Sequence, residues 1–220
     1  MDGNTVLFLI LAIIGVLVAV WLGSKRRKEL GAWATAKGFA FAPGRDNGFD
    51  DRYSAFACLR RGHSRYAYNV SSGAVNGRTV LAFDYHYATG SGKNRHDYRF
   101  SGVLLSSDVP LQPLHIRPEG IFDKVTEFFG IDDIDFESAE FSRAFHVKAP
   151  DKRWAYHVLH QRSMEFLLAQ PRQSIQFDAR HVMVWRSRRF SPEGFDQAIE
   201  TASGLLERLP EYLIQQQKER

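Results

Sequence analysis

No feature restricts this chain more than the run Val6 to Leu22, VLFLILAIIGVLVAVWL, seventeen consecutive residues without a charge. Lys25-Arg26-Arg27-Lys28 follows at once. With Thr5 and Gly23 the uncharged stretch reaches nineteen residues. As a helix it rises roughly 28 Å, about the thickness of a bilayer core. A helix satisfies its own backbone in hydrocarbon, so the β-branched residues are no obstacle there. Trp21 falls at the end of the run, where an indole prefers the interface. A cleaved signal peptide has positive charge ahead of its apolar core and a small-residue site behind it. Here MDGNT precedes the core and SKRRK follows it, the reverse polarity. The expectation is a single-pass anchor in the cell membrane. Positive residues mark the cytoplasmic side, so a short tip at 1–5 faces out and the remainder lies in the cytoplasm.

Charge sharpens this reading. The chain has 29 Lys and Arg against 25 Asp and Glu. Taking away Lys25, Arg26, Arg27 and Lys28 leaves 25 against 25. The basic excess is therefore a juxtamembrane feature, suited to anionic headgroups at roughly 1 kcal/mol per charge near the surface. A nucleic-acid-binding domain carries an excess of its own, so nucleic acid is not an expected partner. Cys58 is the sole cysteine, which fits a reducing compartment. Its apolar neighbours Phe56, Ala57 and Leu59 predict a small buried residue rather than a nucleophile.

Residues 23–42 read as a basic juxtamembrane helix, with Leu30, Trp33 and Ala34 on one face and Gly38 closing it. Packing on the body and lying on the membrane are equally open for this segment. Residues 43–210 read as one α+β domain, and 211–220 as a polar tail with QQQKER frayed. Alternation predicts strands over 65–71, 78–87 and 98–106, with Asn76-Gly77 turning the first pair. Leu81, Phe83, Tyr85 and Tyr87 share one face of the second strand; Ala82, Asp84 and His86 share the other. A short extended piece at 114–117 follows, then a helix carrying Ile121, Phe122, Val125, Phe128 and Phe129. Extended pieces are expected at 132–136 and 141–147, around the acidic stretch Asp132 to Glu140. One helix capped by Asp151 is expected to run to Leu167. A hairpin over 175–185 and a helix opened by Ser191-Pro192 and ended by Pro210 complete the reading. The architecture is an N-terminal transmembrane helix and one domain of antiparallel strands with three or four packed helices.

No motif names a reaction. P-loop, GxGxxG, GxSxG and CxxC patterns are all missing from the sequence. Asp84, His86 and His96 form the most suggestive cluster. A metal site needs three or four converging ligands and the strand aligns only two, so an exposed polar face is the expected role. Asp132, Asp133, Asp135, Glu137 and Glu140 lack calcium-loop spacing and suit a solvated edge. His157 and His160 lie three apart on a helix without a companion motif. Arg186-Ser187-Arg188-Arg189 can hold phosphate or lipid headgroups, though a solvated turn is the expected reading.

The pattern FESAEFSRAFHVKAPD (136–151), with Ala155, Leu159 and Met164-Glu165 to Leu168, and Phe83 to Tyr87 after a glycine-containing turn, resembles a bacterial family without an assigned activity. Its members look like single-span membrane proteins with a cytosolic domain of unknown function. The resemblance covers most of 65–185. Ser142 stands where the family pattern has Asn, and Gln161 where it has Pro. It implies a bacterial inner membrane and no catalytic residue.

The expected function is a non-catalytic module at the inner membrane for binding or scaffolding, with no cofactor. Its partners are the bilayer through 6–22, anionic headgroups through the basic cluster, and a protein. A membrane-proximal enzyme using Asp84, His86 and His96, with or without a metal, is one alternative. A self-associating envelope protein, with Ala12 and Gly15 as small contact residues, is the other.

Overall fold

The computed structural model describes residues 3–120 and 132–218; the side chains of residues 3, 5, 6, 9, 217 and 218 are outside that description. The expected helix over Ile121 to Phe129 therefore lies outside the described residues. The architecture is α+β: several helices on an eight-stranded, wholly antiparallel sheet. The strands are β1 (Ala40–Ala42), β2 (His63–Val75), β3 (Arg78–Thr89), β4 (His96–Ser106), β5 (Leu114–Pro118), β6 (Phe145–Lys148), β7 (Ser174–Phe177) and β8 (His181–Arg186). Their order across the sheet is β1-β2-β3-β4-β8-β7-β5-β6. The central hairpin closes on Asn76 and Gly77, both at positive φ, as a two-residue turn matching strand twist requires.

The sheet is buried on both faces. Val80, Ala82, Val103, Leu105, Val182 and Val184 pack beneath the helices. Phe83, Tyr85, Phe100, Leu104, Met183 and Trp185 pack on the opposite face against Phe49 of the short helix α2 (Phe49–Arg52) and against Phe56, Cys58 and Leu59. Cys58 is a small core residue there, its thiol 3.9 Å from the Met183 sulfur. β3 lies between these two layers, so its second face is not the exposed polar surface expected from alternation. Asp84 and His86 are 0% and 4% exposed.

Helix α1 (Gly3–Ala36) is continuous for 34 residues, roughly 51 Å. Its C-terminal third docks on the body. Leu30 and Ala34 are fully buried, and Trp33 nearly so. Trp33 donates to Asp196, 3.0 Å away, and stacks near Phe195. Both of these partners belong to α6 (Pro192–Glu207). Burial of Leu30 and Trp33 contributes about 1.5–3 kcal/mol each. Toward the N-terminus the helix leaves the body, and the described apolar side chains from Leu7 to Leu22 are exposed. Among the described residues, no helix is long and apolar enough to cross a membrane.

Other segments depart from expectation. Residues 139–144 form α3 (Ala139–Ala144), not a strand, because the Ser138 hydroxyl accepts from the Phe141 amide and caps a helical turn. The helix capped by Asp151 divides into α4 (Lys152–Val158) and α5 (Gln161–Ala169), with Leu159 and His160 out of helical geometry between them. The tail is helical as α7 (Glu211–Lys218), held by buried Leu213. Ser191 caps α6 and Pro192 opens it, as read from sequence.

Gly62 enters β2 at a φ of +56°, and a Cβ there would sit 2.0 Å from the Ala88 carbonyl oxygen. Backbone cannot yield as a side chain can. Gly62→Ala is expected to cost roughly 2–4 kcal/mol in chemical denaturation; a loss below about 0.5 kcal/mol contradicts the close approach.

Candidate functional site

The densest polar arrangement lies where α1 meets the sheet. Asp84 is wholly buried on β3 and accepts a two-pronged contact from Arg26 of α1. Nε donates to Oδ2 at 2.7 Å and Nη2 to Oδ1 at 2.6 Å. The Asn69 amide adds a donor at 3.0 Å and the Ser101 hydroxyl another at 2.6 Å. Arg26 also donates to the Phe190 carbonyl at 3.0 Å, and the Phe190 amide donates to Ser101 Oγ at 2.9 Å. Three residues from three elements thus donate to one carboxylate, and Phe190 braces two of them.

Local sequence explains the convergence. Ser101 lies directly opposite Asp84 in the β3–β4 register, so their side chains share a face. Asn69 would point away in a regular strand. A register shift between Tyr68 and Ser71, with Asn69 at a φ of +50°, turns its amide to the Asp84 side. Bulges re-aim side chains in this way, and Asn tolerates the left-handed region. Arg26 is 15% exposed. It is therefore not free for headgroups as the sequence suggested: the buried carboxylate holds it. Lys25, Arg27 and Lys28 remain exposed.

The proposed metal trio does not assemble. His86 Nδ1 lies 2.9 Å from the Ser64 carbonyl and Nε2 2.8 Å from Asp97, so both ring nitrogens are engaged. The ring stacks on Tyr66 at 4.5 Å. His96 is exposed and pairs with Thr89, five residues along β4 from the partner of Asp84, roughly 17 Å away. Among the described residues no group of three His, Cys, Asp or Glu could hold a metal ion. His157 and His160 also diverge: one meets the Tyr212 hydroxyl at 2.6 Å, the other the Arg208 carbonyl at 2.9 Å. Of the acidic stretch, Asp133 pairs with His146 and Lys148 on β6, an edge strand.

Asp97 is exposed, yet contacts from Arg95 first and His86 second lower its pKa from 3.8 to about 2. Its folded-state value lies below the unfolded one. Its stabilising contribution is complete above about pH 4 and is lost as pH falls toward 2. A carboxyl titration followed by NMR is expected to show a midpoint near 2. Arg95→Gln is expected to return it toward 3.8, and a wild-type midpoint already at 3.8 contradicts the contact.

Two open clefts flank the helices. One, about 510 Å³, is lined by Lys37, Phe39, Phe166, Asp196, Ile199 and Arg208 among others. A second, about 700 Å³, lies between α4, α5 and α7. Neither contains a nucleophile with an adjacent base and orienting group.

No protein-family model matches the sequence, and no curated protein does. Among solved structures the chain is similar to the crystal structure of the mycobacterial trehalose monomycolate transport factor A, TtfA. The TM-score is 0.64 at 15% identity, covering 84% of this chain and 96% of that one. The likeness is one of fold.

Proposed function

We propose that this chain is a non-catalytic, membrane-tethered module that presents a rigid α+β body to a protein assembly at the cytoplasmic face of the membrane. The observation that carries it is α1 itself: one continuous helix, bare and apolar at one end, fastened into the domain core at the other. With residues 6 and 9 included, the run Val6–Leu22 has the length and composition of a bilayer segment. An all-round apolar helix that packs on nothing among the described residues suits lipid. The basic residues beyond it favour a cytoplasmic body.

A flexible anchor would merely concentrate a domain at the membrane. Here Arg26 lies four residues past Leu22, about 6 Å of helix, and is clamped by Asp84. Tilt or displacement of the membrane segment is therefore transmitted to the sheet. That property suits an accessory factor docked on a transport assembly, a reading that the TtfA fold likeness supports. The test is fractionation of cells making the full chain, followed by protease protection of spheroplasts. Pelleting that survives carbonate washing, with the body protected until lysis, is expected. A carbonate-soluble chain, or a body digested from outside, overturns the reading.

A further inference from the structure

The Asp84 site uses one arginine and leaves four beside it without a carboxylate. Arg186 ends β8 directly opposite Ser101, and its Nη2 donates to the Arg189 carbonyl at 3.0 Å. Its guanidinium stacks over Phe190, and its Nε is buried with no hydrogen-bond partner among the described residues. Arg99 sits on β4 two residues from Ser101, on the same face. Arg188 and Arg189 lie in the loop leading to Phe190, and with Arg99 they are exposed. None of these four arginines pairs with an acidic group among the described residues.

A second observation points into the same place. Tyr68 lies opposite Asp84, and its hydroxyl is buried with no hydrogen-bond partner among the described residues. Burial first, and Asp84 next, raise the phenol's pKa; Arg189, Arg99 and Arg26 act on it in the opposite sense. By register Tyr68, Asp84, Ser101 and Arg186 stand in one row across β2, β3, β4 and β8, with Arg99 on the same face beside it. Leaving a buried donor unsatisfied carries a desolvation cost that an acceptor oxygen would remove. Several guanidinium groups and an unpartnered hydroxyl donor on one face of the sheet suit a tetrahedral oxyanion.

We infer that Arg99, Arg186 and Arg189, with the Tyr68 hydroxyl, form a phosphate-binding site that takes the headgroup of an anionic phospholipid. The choice of lipid as source rests on the membrane-tethered reading; the phosphate chemistry does not. Arg26 ties the site to a point one helical turn beyond the apolar run, at headgroup height. The clamp on α1 and the headgroup site then share Ser101 and Phe190. Lipid occupancy would register the body against the membrane surface in addition to tethering it.

The experiment is thermal unfolding of the full chain in neutral detergent, with dioctanoyl phosphatidic acid, dioctanoyl phosphatidylcholine or glycerol 3-phosphate added. Phosphatidic acid at a hundredfold excess over its Kd is expected to raise Tm by roughly 5–10 °C, with phosphatidylcholine far less effective. Arg99→Gln/Arg189→Gln, both on exposed side chains, is expected to abolish the shift while leaving the unliganded Tm within about 2 °C. No shift with either phosphate compound overturns the site, and a shift retained in the double variant overturns its assignment to these arginines. A shift as large with glycerol 3-phosphate as with phosphatidic acid overturns the lipid source. Membrane pelleting of the same double variant is expected to match wild type, so loss of tethering and loss of the site are read separately.

Discussion

Asp84→Ala is expected to destabilise the domain by about 3–5 kcal/mol, more than other single polar substitutions in the sheet. The loss follows from what remains. Arg26 stays in a largely dry position with its carboxylate gone, while Asn69 and Ser101 each lose an acceptor. Removing both charges behaves differently. Arg26→Met with Asp84→Leu leaves no uncompensated ion and is expected to recover most of the loss, since well-packed apolar pairs often replace buried ion pairs at little cost. Denaturant titration of the full chain in neutral detergent gives both numbers. An Asp84→Ala loss below about 1 kcal/mol would mean that the pair is ornamental and α1 is held by Leu30 and Trp33 alone.

A second large effect is expected at the other end of the same helix. Ile13→Arg with Val16→Arg places two cations near the middle of the apolar run. Each costs about 2.5–3.5 kcal/mol at the centre of a membrane helix, or roughly a hundredfold in partitioning. Together they are expected to move the chain from the membrane pellet to the soluble fraction. The body should survive the change, because Ile13 and Val16 are exposed and touch no part of the core. Unchanged pelleting of the doubly charged variant would falsify the bilayer role of 6–22. Loss of far-UV signal along with pelleting would show instead that the run stabilises the fold.

The strands were legible because their chemistry is local. Alternation along 78–87, the Asn76-Gly77 turn, and Ser191-Pro192 at the head of α6 each act within a few residues. The α3 turn was legible in principle, since Ser138 stands three residues before the amide it caps. The break at Leu159 and His160 carries no Gly or Pro to announce it. The Asp84 site was misread for a different reason. Period-2 alternation says which residues share a face, and the polar face of β3 was assigned to water. At Asp84 it is instead covered by Arg26 of α1 and Phe190 of the loop before α6, 58 and more than 100 residues away along the chain. One signal was available: Asp84 lies within a strand whose sheet partners offer Asn69 and Ser101, and a buried carboxylate needs a cation. Nothing local identified Arg26 as that cation, because its three basic neighbours carry the same charge. The charge subtraction placed the basic excess correctly near the apolar run, yet it counted one arginine whose charge is already used inside the fold.

Whether α1 and the sheet behave as one body is tested most directly by hydrogen exchange on the full chain in lipid nanodiscs. Amides of residues 26–36 are expected to exchange no faster than those of β3, at the rate of global unfolding, and to become much faster than β3 in Asp84→Ala. Rapid exchange of residues 26–36 in the wild-type chain, with β3 still protected, would contradict the clamp and leave α1 a loose tether.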